Sequence, residues 1–262
     1  MLDQDKRRFE AHDVYNIDLA LHLLKQSGGK PQELSSAIVT NDFTQGEEGR
    51  IVVITGPNRG GKTTLLQAIG LAQIMMQVGL YVPAREAAMS ICDNILTHYP
   101  ALEKLEKGTG RFGEEAQRIE SLFKSATRHS LILLNESLSS TSGGESLYLS
   151  QDIVRVLRML GTRAVYATHL HGLAASVGEL NRDTRGDSKV LSMVALIEAD
   201  DEPEEPDSSR TGKPVKIKPT FRIVPGPPEG HSYAIDLAYR YGISKDQLIE
   251  TLEQRGELVA SS

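Results

Sequence analysis

The stretch GPNRGGKTT, residues 56–64, decides the fold, and we call it the phosphate loop. It satisfies the Walker A pattern G-x-x-x-x-G-K-[ST], in which a glycine-rich backbone turns its N–H groups towards phosphate oxygens. The apolar run IVVIT at residues 51–55 predicts a strand before the loop, and residues 65–82 predict a helix after it. An ordinary glycine-rich turn needs neither the lysine nor the hydroxyl, so the pattern favours nucleotide binding.

Two side chains of the phosphate loop have expected roles in holding a nucleotide. Lys62 is expected to contact the β- and γ-phosphates, and the Thr63 hydroxyl is expected to ligate Mg²⁺. The positive end of a helix dipole lies at the same place, because the predicted helix begins near Lys62. A nucleotide and Mg²⁺ are therefore the predicted ligands, but the loop alone does not separate kinases, GTPases and ATPases.

The composition excludes several classes of protein. The chain has 262 residues, 39% of them hydrophobic, which is enough for one large α/β domain or two small ones. A single cysteine, Cys92, excludes an internal disulfide, and without a signal-peptide pattern we expect a cytoplasmic protein. Glutamines interrupt the apolar residues 65–82, so no membrane partner is expected. The net charge of −6 does not favour binding to nucleic acids without sequence preference.

Predicted strands alternate with predicted helices, which favours a mostly parallel α/β sheet flanked by helices. Continuous apolar runs at residues 130–137 and 162–169 predict two more buried strands. Ser142 and Glu145 form the capping pattern that predicts the start of the helix between those strands. After residue 188, two β-rich segments predict an antiparallel addition at the edge of the sheet. These segments are residues 189–198 and 215–224.

Polar residues end two of the predicted strands and are expected to lie beside the phosphate loop, since ligands bind at the carboxyl ends of parallel strands. Asn135 and Glu136 end the strand at residues 130–137, and Glu136 is expected to orient and activate the attacking water. The alternative is a surface glutamate at a strand end. His169 ends the next strand and is expected to sense the γ-phosphate, the alternative being a structural histidine.

Five motifs follow one another along the chain in a characteristic order. They are ITGPNRGGKTT (54–64), GLYVPA (79–84), SLILLNESLSST (130–141), YATHLHGLA (166–174) and EGHSYAIDLAYRYGI (229–243). In order and spacing they resemble the ATPase domain of the MutS family of DNA mismatch-repair proteins. The proline and asparagine before the glycines of the phosphate loop are more specific to that family than the general pattern. The resemblance extends from about Ser36 to the end of the chain.

The resemblance implies a P-loop NTPase of the ABC type that hydrolyses ATP with Mg²⁺ and works as a homodimer with composite sites. It implies Glu136 as the general base, His169 as the switch histidine and Lys62 as a catalytic phosphate ligand. Residues around 140–142 match the loop that contacts the partner subunit. The implied nucleotide-binding residues are Gly56, Pro57, Asn58, Gly60, Gly61, Lys62, Thr63, Thr64 and Ile38, and the implied metal ligands are Thr63 and Asn135.

The chain departs from the pattern of the family at three positions. Asn135 replaces the usual aspartate, and a neutral amide holds Mg²⁺ more weakly than a carboxylate, so slow hydrolysis is expected. Gly110 occupies the place of a serine that reaches across the dimer to the γ-phosphate, with Thr109 or Arg111 as substitutes. Ile38 replaces the aromatic residue that stacks on adenine, which leaves only an apolar contact.

The predicted organisation is a MutS-like P-loop ATPase domain with a short N-terminal extension. Full-length MutS has mismatch-sensing, connector, lever and clamp domains that this chain lacks, so DNA is expected as a partner only through domains outside the chain. Seven carboxylates and two prolines in EADDEPEEPD predict a mobile solvated loop, the alternative being an acidic partner-binding segment. The predicted segments are 1–35 (N-terminal helical segment and linker), 36–262 (ATPase domain), 198–210 (acidic loop) and 232–262 (closing helices).

Three functions compete for this sequence. The first is a MutS-type ATPase module that couples the nucleotide state to DNA binding or mismatch repair. The second is a nucleotide-binding regulatory or dimerisation module with little or no hydrolysis, which Asn135 and Gly110 favour. The third, a small-molecule kinase, ranks last because the sequence shows no acceptor pocket and no lid arginines. A steady-state ATPase measurement separates the first two.

Overall fold

The structure of the protein is a computed structural model. It describes residues 1–30, 34, 36–100, 110–182, 185–186, 188–200, 216–227, 242 and 245–255. The chain divides into two compact units, Met1–Leu196 with Pro219–Glu229, and Ile197–Lys218 with Gly230–Ser262. The first unit contains the phosphate loop. It also contains residues 1–30, so the N-terminal extension belongs to the same unit as the loop.

The main element of the fold is a six-stranded sheet with the strand order β5-β6-β7-β3-β8-β9. Its neighbours β5-β6, β6-β7, β7-β3 and β3-β8 all pair in parallel. This confirms the mostly parallel α/β sheet of a P-loop NTPase-like fold. The strands are β3 (Ile51–Thr55), β5 (Ile95–His98), β6 (Leu131–Asn135), β7 (Arg163–Ala167), β8 (Val190–Asp200) and β9 (Lys216–Pro225).

The two strands predicted as an antiparallel addition lie next to each other at one edge of this sheet. The first, β8, runs parallel to β3, so it extends the main sheet. The second, β9, borders β8, and the N–H of Gly226, the residue after β9, donates to the Ser192 carbonyl of β8 at 3.1 Å. Most of the acidic loop predicted between them lies outside the described residues.

A second sheet of three antiparallel strands was not predicted from the sequence. Its strands are β1 (Phe9–Val14), β2 (Asn41–Gln45) and β4 (Glu86–Met89), with β1 in the centre. Phe9 and Phe43 pack edge to face across β1 and β2, with ring centroids 5.5 Å apart. The segment 1–35, predicted as helical, therefore contains a strand and a short 3-10 helix, Gln4–Lys6, before its helix begins.

Helices of the first unit pack on both faces of the six-stranded sheet, as the two faces of β3 show. Val52 and Ile54 pack into the core on the side of the helix that follows the phosphate loop, whereas Ile51 and Val53 pack into the core on the opposite side. Each fully buried side chain of this kind contributes about 1.5–3 kcal/mol, so both faces fix the strand. The helices are α1 (Ile17–Gln26), α2 (Lys62–Gln77), α3 (Arg111–Ser125), α4 (Gly143–Leu160), α5 (His171–Ala175), α6 (Val177–Leu180) and α7 (Lys245–Gln254).

The ends of α4 agree with the capping chemistry of the sequence. The hydroxyl oxygen of Ser142 accepts a hydrogen bond from the Glu145 N–H, and Gly161 ends the helix in the left-handed region at φ 71°. Of the two predicted closing helices, the second is α7, and the first lies outside the described residues. Within the described part of the chain, no helix is both long and apolar enough to span a membrane.

Candidate functional site

The phosphate loop lies where β3 ends and α2 begins, at the carboxyl end of the parallel strands. Two of its glycines are required by the backbone, because Gly56 has φ 137° and Gly61 has φ 90°. A Cβ atom on Gly56 would lie 2.7 Å from the Cβ atom of Ala195 on β8. The close approach of β8 therefore fixes the curve of the loop, and α2 presents its N-terminal N–H groups there.

Lys62, the first residue of α2, closes the phosphate loop on itself. Its Nζ donates to the carbonyl oxygens of Gly56 and Pro57, both at 2.9 Å, and it lies 3.8 Å from Oε1 of Glu136. Burial lowers the pKa of the Lys62 ammonium, and the charge of Glu136 opposes that shift. The ammonium is thus desolvated and has only partial charge compensation, which is the environment in which an anionic phosphate binds favourably.

Thr63 and Asn135 lie in direct contact across the site. The Thr63 hydroxyl donates to Oδ1 of Asn135 at 2.9 Å, and Asn135 is the buried last residue of β6. The two side chains place hard oxygen atoms together, and Mg²⁺ is usually held by one or two protein oxygens plus substrate phosphates and water. The donor set therefore fits Mg²⁺. Among the described residues, no cluster of three histidine, cysteine or carboxylate side chains could hold a metal instead.

Glu136 and His169 form a close pair at the ends of β6 and β7. Nδ1 of His169 lies 2.6 Å from Oε2 of Glu136, and the His169 N–H donates to the same oxygen at 3.1 Å. Burial acts to raise the pKa of Glu136, but the bond from His169 and the charges of His169 and Lys62 outweigh it and lower the pKa. The same bond raises the pKa of His169 against the effect of burial. The pair therefore favours a carboxylate beside an imidazolium.

The remaining predicted site residues occupy several environments. In the phosphate loop, Asn58 is exposed, Gly60 is buried and Thr64 is half-buried. The carbonyl of Thr64 accepts from the buried Asn16 side chain at 3.2 Å, so it helps to anchor α1 to α2. Ile38 is half-buried before β2, and its contact with adenine stays a prediction.

The loop predicted to contact a partner subunit makes its hydrogen bonds within the chain. The Ser140 hydroxyl donates to the carboxylate of Glu115, and the hydroxyls of Thr141 and Ser142 donate to Oε2 of Glu145 at 2.6 and 2.8 Å. Gly110 is the N-cap of α3 and supplies no side-chain cap. Thr109 lies outside the described residues, so its role as a substitute for the serine stays a prediction.

Phe221 is a residue at this site that sequence patterns did not indicate. It lies on β9 with φ 59° and 46% exposure, and its Cα would lie 3.5 Å from a Cβ atom on Gly61. Asn41 on β2 holds it there, because its amide donates to the Phe221 carbonyl at 3.2 Å and accepts from the Ile223 N–H at 2.7 Å. Sequence patterns did not place this exposed aromatic residue beside the glycine-rich loop, because its position depends on β9 lying next to β8.

Comparison with known sequences identifies the family. The family described as MutS domain V matches residues 52–199, more than half of the chain. The chain belongs to the MutS family. The match includes nearly all of β3, the whole phosphate loop, Asn135, Glu136 and His169, whereas Phe221 lies outside it.

Two kinds of MutS relative are similar to this chain. It is 32% identical over 210 residues to the Endonuclease MutS2 of Thermus thermophilus, covering 80% of this chain and 25% of that protein. It is 30% identical over 231 residues to the DNA mismatch repair protein MutS of Oleidesulfovibrio alaskensis, covering 85% and 23%. A MutS from Halothermothrix orenii is 28% identical over 260 residues, covering 98% and 26%. The chain thus spans about a quarter of the length of these relatives.

Proposed function

We propose that this chain is an ATPase module of MutS type, which binds ATP with Mg²⁺ and hydrolyses it slowly. The observation that carries the proposal is the meeting of three chemistries at one place. Lys62 of the phosphate loop lies 3.8 Å from Glu136, and Thr63 lies 2.9 Å from Asn135. A phosphate-binding cation, a pair of metal-binding oxygens and a carboxylate base are the parts that nucleotide hydrolysis needs.

The first step is the entry of the triphosphate into the phosphate loop. Its oxygens replace the carbonyls of Gly56 and Pro57 as partners of the Lys62 ammonium, and the N–H groups at the start of α2 surround the β-phosphate. Thr63 and Asn135 would hold Mg²⁺, which supplies positive charge that stabilises the charge developing on the phosphates. Because the loop already has its curved shape, little backbone ordering opposes binding.

The second step is attack by water on the γ-phosphate. Glu136 is ionised at neutral pH, since its pKa is lowered by His169 and Lys62 in spite of burial, and it can therefore accept a proton from water. His169 orients this carboxylate through its 2.6 Å contact, and it senses whether the γ-phosphate is present. Lys62 stabilises the negative charge that develops during transfer.

Steady-state ATPase measurement tests the proposal. The wild-type chain is expected to release phosphate in a Mg²⁺-dependent manner, and Glu136→Ala is expected to lower the rate by about 100-fold or more, since general-base catalysis contributes about 10²–10⁴-fold. Glu120→Ala is the matched control, because Glu120 is an exposed glutamate on α3 that pairs with Lys124 on the surface. Equal rates for wild type and Glu136→Ala, with ATP still bound, would favour the nucleotide-binding module without hydrolysis.

Asn135 gives the reason for expecting slow turnover. An amide oxygen binds Mg²⁺ more weakly than a carboxylate, so Asn135→Asp is expected to raise the ATPase rate or to lower the Mg²⁺ concentration required. The measurement is a Mg²⁺ titration of the ATPase rate for both proteins. A rate for Asn135→Asp that is unchanged or lower at every Mg²⁺ concentration would show that the amide is not the limiting feature.

We also propose an ABC-type composite site, closed by a second copy of the chain. A γ-phosphate bound in one subunit is open to water until another subunit covers it, so turnover is expected to fall on dilution. Sedimentation of the Glu136→Gln variant with ATP and Mg²⁺ is expected to show a dimer that dissociates without nucleotide. A monomer under these conditions, with constant specific activity on dilution, would refute the composite site and leave ATP binding untouched.

The role in DNA repair is proposed from the relatives. Two of them are named DNA mismatch repair protein MutS, and the chain spans about a quarter of their length. We propose that the nucleotide state of this module controls DNA binding by other parts of such a protein, since the net charge of −6 does not favour strong DNA binding by the chain itself. A DNA-binding assay of the isolated chain is expected to show only weak, salt-sensitive binding.

A further inference from the structure

The turn after β6, residues 136–140, has an unfavourable backbone conformation. Glu136 has φ 46° and Leu138 has φ 64°, and neither is a glycine. Left-handed conformations of such residues are unfavourable and persist only where the surrounding structure enforces them. The side chain of Glu136 points to the site only while this turn keeps its shape, so the contacts that enforce the turn bear on the chemistry.

A buried carboxylate on α3 makes two of these contacts. Glu115 is 5% exposed, accepts the Leu138 N–H through Oε1 at 2.7 Å, and accepts the Ser140 hydroxyl through Oε2. A carboxylate is suited to this position because it has acceptor sites for several donors and no donor of its own. Glu115 therefore contacts the turn from α3 and acts on the site through that turn.

Three further hydrogen bonds fix the remainder of the turn. The Tyr166 hydroxyl donates to the Ser137 carbonyl at 2.8 Å, and Nδ1 of His98 lies 2.7 Å from the Ser137 hydroxyl. The Ser146 hydroxyl donates to the Leu138 carbonyl at 2.5 Å. Both backbone groups of Leu138 therefore have buried partners. Glu115 reaches the turn from a helix that precedes β6 in the chain.

We propose that Glu115 is a positioning residue for ATP hydrolysis, holding the turn that aims Glu136 at the attacking water. This inference rests on the proposed ATPase function. The connection runs from Glu115 to the Leu138 N–H, through the turn to Glu136, and from there to His169. Lys62 and Thr63 hold the nucleotide from the other side of the site, so loss of Glu115 affects the rate of hydrolysis and not the affinity for ATP.

Substitutions of Glu115 test the proposal in the full chain. Glu115→Ala removes both acceptors and is expected to lower kcat by about 10- to 100-fold, the range expected from a misplacement near 1 Å, with KM changed less than about 3-fold. Glu115→Gln keeps an oxygen for the Leu138 N–H, and the Ser140 hydroxyl can turn to accept from its amide. Its kcat is expected to stay within about 3-fold of wild type. Glu120→Ala is the matched control on the same helix, with wild-type kcat expected.

A thermal melt shows whether Glu115→Ala is folded. If it does not unfold cooperatively, Glu115→Asp provides the test instead. It retains the charge but withdraws the carboxylate by one methylene, so it cannot reach both donors. The expected order of kcat is then Gln above Asp. Equal values, or Asp above Gln, would overturn the positioning role. A wild-type kcat in a folded Glu115→Ala would overturn it as well.

A double-mutant cycle separates positioning from a general loss of structure. Single-turnover hydrolysis is measured for Glu115→Ala, Glu136→Gln and the double variant at saturating ATP. If Glu115 acts through Glu136, the alanine substitution adds less than about 2-fold in the Glu136→Gln background. If Glu115→Ala still lowers the rate by 10-fold in the Glu136→Gln background, the positioning role is refuted and the proposed ATPase function stands. If wild type were as slow as Glu136→Gln while binding ATP, the proposed hydrolysis and the positioning role would both fall.

Discussion

The two ends of the six-stranded sheet are both polar, but their polar groups have different partners. At the carboxyl end, side chains pair with one another, as His169 does with Glu136 and Thr63 with Asn135. At the amino end of β7, the fully buried Arg163 binds mainly backbone carbonyl groups. A ligand can displace the side-chain pairs at the carboxyl end, whereas the hydrogen bonds of Arg163 at the amino end are closed to solvent.

The polar groups around Arg163 form what we call the amino-end cluster, with Gln73, Ser90 and Cys92 as the other members. Nη1 of Arg163 donates to the Ser90 carbonyl and to Oε1 of Gln73, both at 3.3 Å, and Nε2 of Gln73 donates to the same carbonyl at 3.0 Å. Burial lowers the pKa of the Arg163 guanidinium, and the neighbouring acidic groups oppose this shift. The cluster joins β7 to α2 and to the segment after β4.

The comparison teaches that solvent access, more than polarity or the kind of partner, distinguishes the side-chain pairs that a ligand can reach from groups that stabilise the fold, since Lys62 at the carboxyl end also bonds to backbone carbonyls. The side chain of His169 is 54% exposed and Thr63 is also exposed, so water or a phosphate can replace their present partners. Gln73, Ser90 and Arg163 are fully buried, so nothing from the solvent can compete. Substitutions at the carboxyl end are therefore expected to change ligand binding, and those at the amino end to change stability.

The largest effect is expected from Lys62→Ala. It removes the side-chain cation of the phosphate loop, and truncating one partner of a buried charge pair costs about 2–5 kcal/mol of binding free energy, at least about 25-fold in Kd. Calorimetry with ATP and Mg²⁺ measures the change. Lys124→Ala is the control, because its surface ion pair with Glu120 is remote from the loop and ATP affinity should not change. Unchanged affinity for Lys62→Ala would refute the phosphate-loop assignment.

The next effect is expected from Arg163→Ala, in stability. The substitution removes the buried hydrogen bonds that Arg163 donates and opens a cavity, so the free energy of unfolding should fall by about 2–4 kcal/mol. Urea unfolding measures this, and ATP affinity of the folded variant should match wild type. Arg163→Met keeps most of the volume and isolates the hydrogen-bond contribution. A decrease in the free energy of unfolding below about 0.5 kcal/mol for Arg163→Ala, as is typical of surface positions, would contradict the burial of the amino-end cluster.

A smaller, pH-dependent effect is expected from His169→Gln. The pKa of His169 is raised from 6.5, so its ionic contribution is fully present below pH 6.5 and disappears as the pH rises through the raised value. The pKa of Glu136 is lowered from 4.5, so its contribution is present above pH 4.5 and disappears as the pH falls through the lowered value.

The stability difference between wild type and His169→Gln should therefore be largest between pH 4.5 and 6.5. It should stay below about 1 kcal/mol, because the imidazole is half exposed and solvent weakens the ion pair. Urea unfolding at about pH 5.5 and pH 9 compares the two proteins. A difference that stays constant or grows towards pH 9 would mean that the pair contributes no ionic stabilisation.

Little modification is expected when the native protein is treated with a thiol reagent. Burial raises the pKa of the Cys92 thiol to about 11 from 9.0, and the thiol donates to Oε1 of Gln77 at 3.0 Å. This increase of two pKa units by itself lowers the fraction of reactive thiolate about 100-fold at pH 8. Iodoacetamide should therefore modify the native protein at least about 100-fold more slowly than the protein in urea, as mass spectrometry can show. Fast native labelling would place the amino-end cluster in contact with solvent.

Three strands of the main sheet, β3, β6 and β7, could be predicted because each of them is buried on both faces. The runs at residues 51–55 and 130–137 are continuously apolar, which gives a local signal independent of their partners. The antiparallel sheet gave no such signal. Its central strand β1 has the sequence FEAHDV and a mixed burial pattern, and its partners β2 and β4 are distant in the chain. β1 forms a strand because of its tertiary contacts with β2 and β4, which sequence periodicity does not show.

The candidate site was predictable to a similar extent. Lys62, Thr63, Asn135 and Glu136 belong to local motifs at strand ends, and strand order brings them together. Glu115 was not predictable, because a glutamate within an amphipathic helix indicates a solvated face, as it does at Glu120 in the same helix. Only the packing of α3 beside the turn after β6 distinguishes these two residues.

The central position of β1 in its sheet has a consequence for the order of folding. Phe9 pairs with Gln45 on β2 and with Met89 on β4, so the second pairing closes a loop about twice as long as the first. Doubling a loop costs roughly 0.6 kcal/mol more in closure entropy, which favours docking of β1 on β2 before β4. During synthesis, β2 is also made first. The β1–β2 pair can therefore present an open edge until β4 emerges, and a chaperone or a neighbouring chain could capture that edge in the interval.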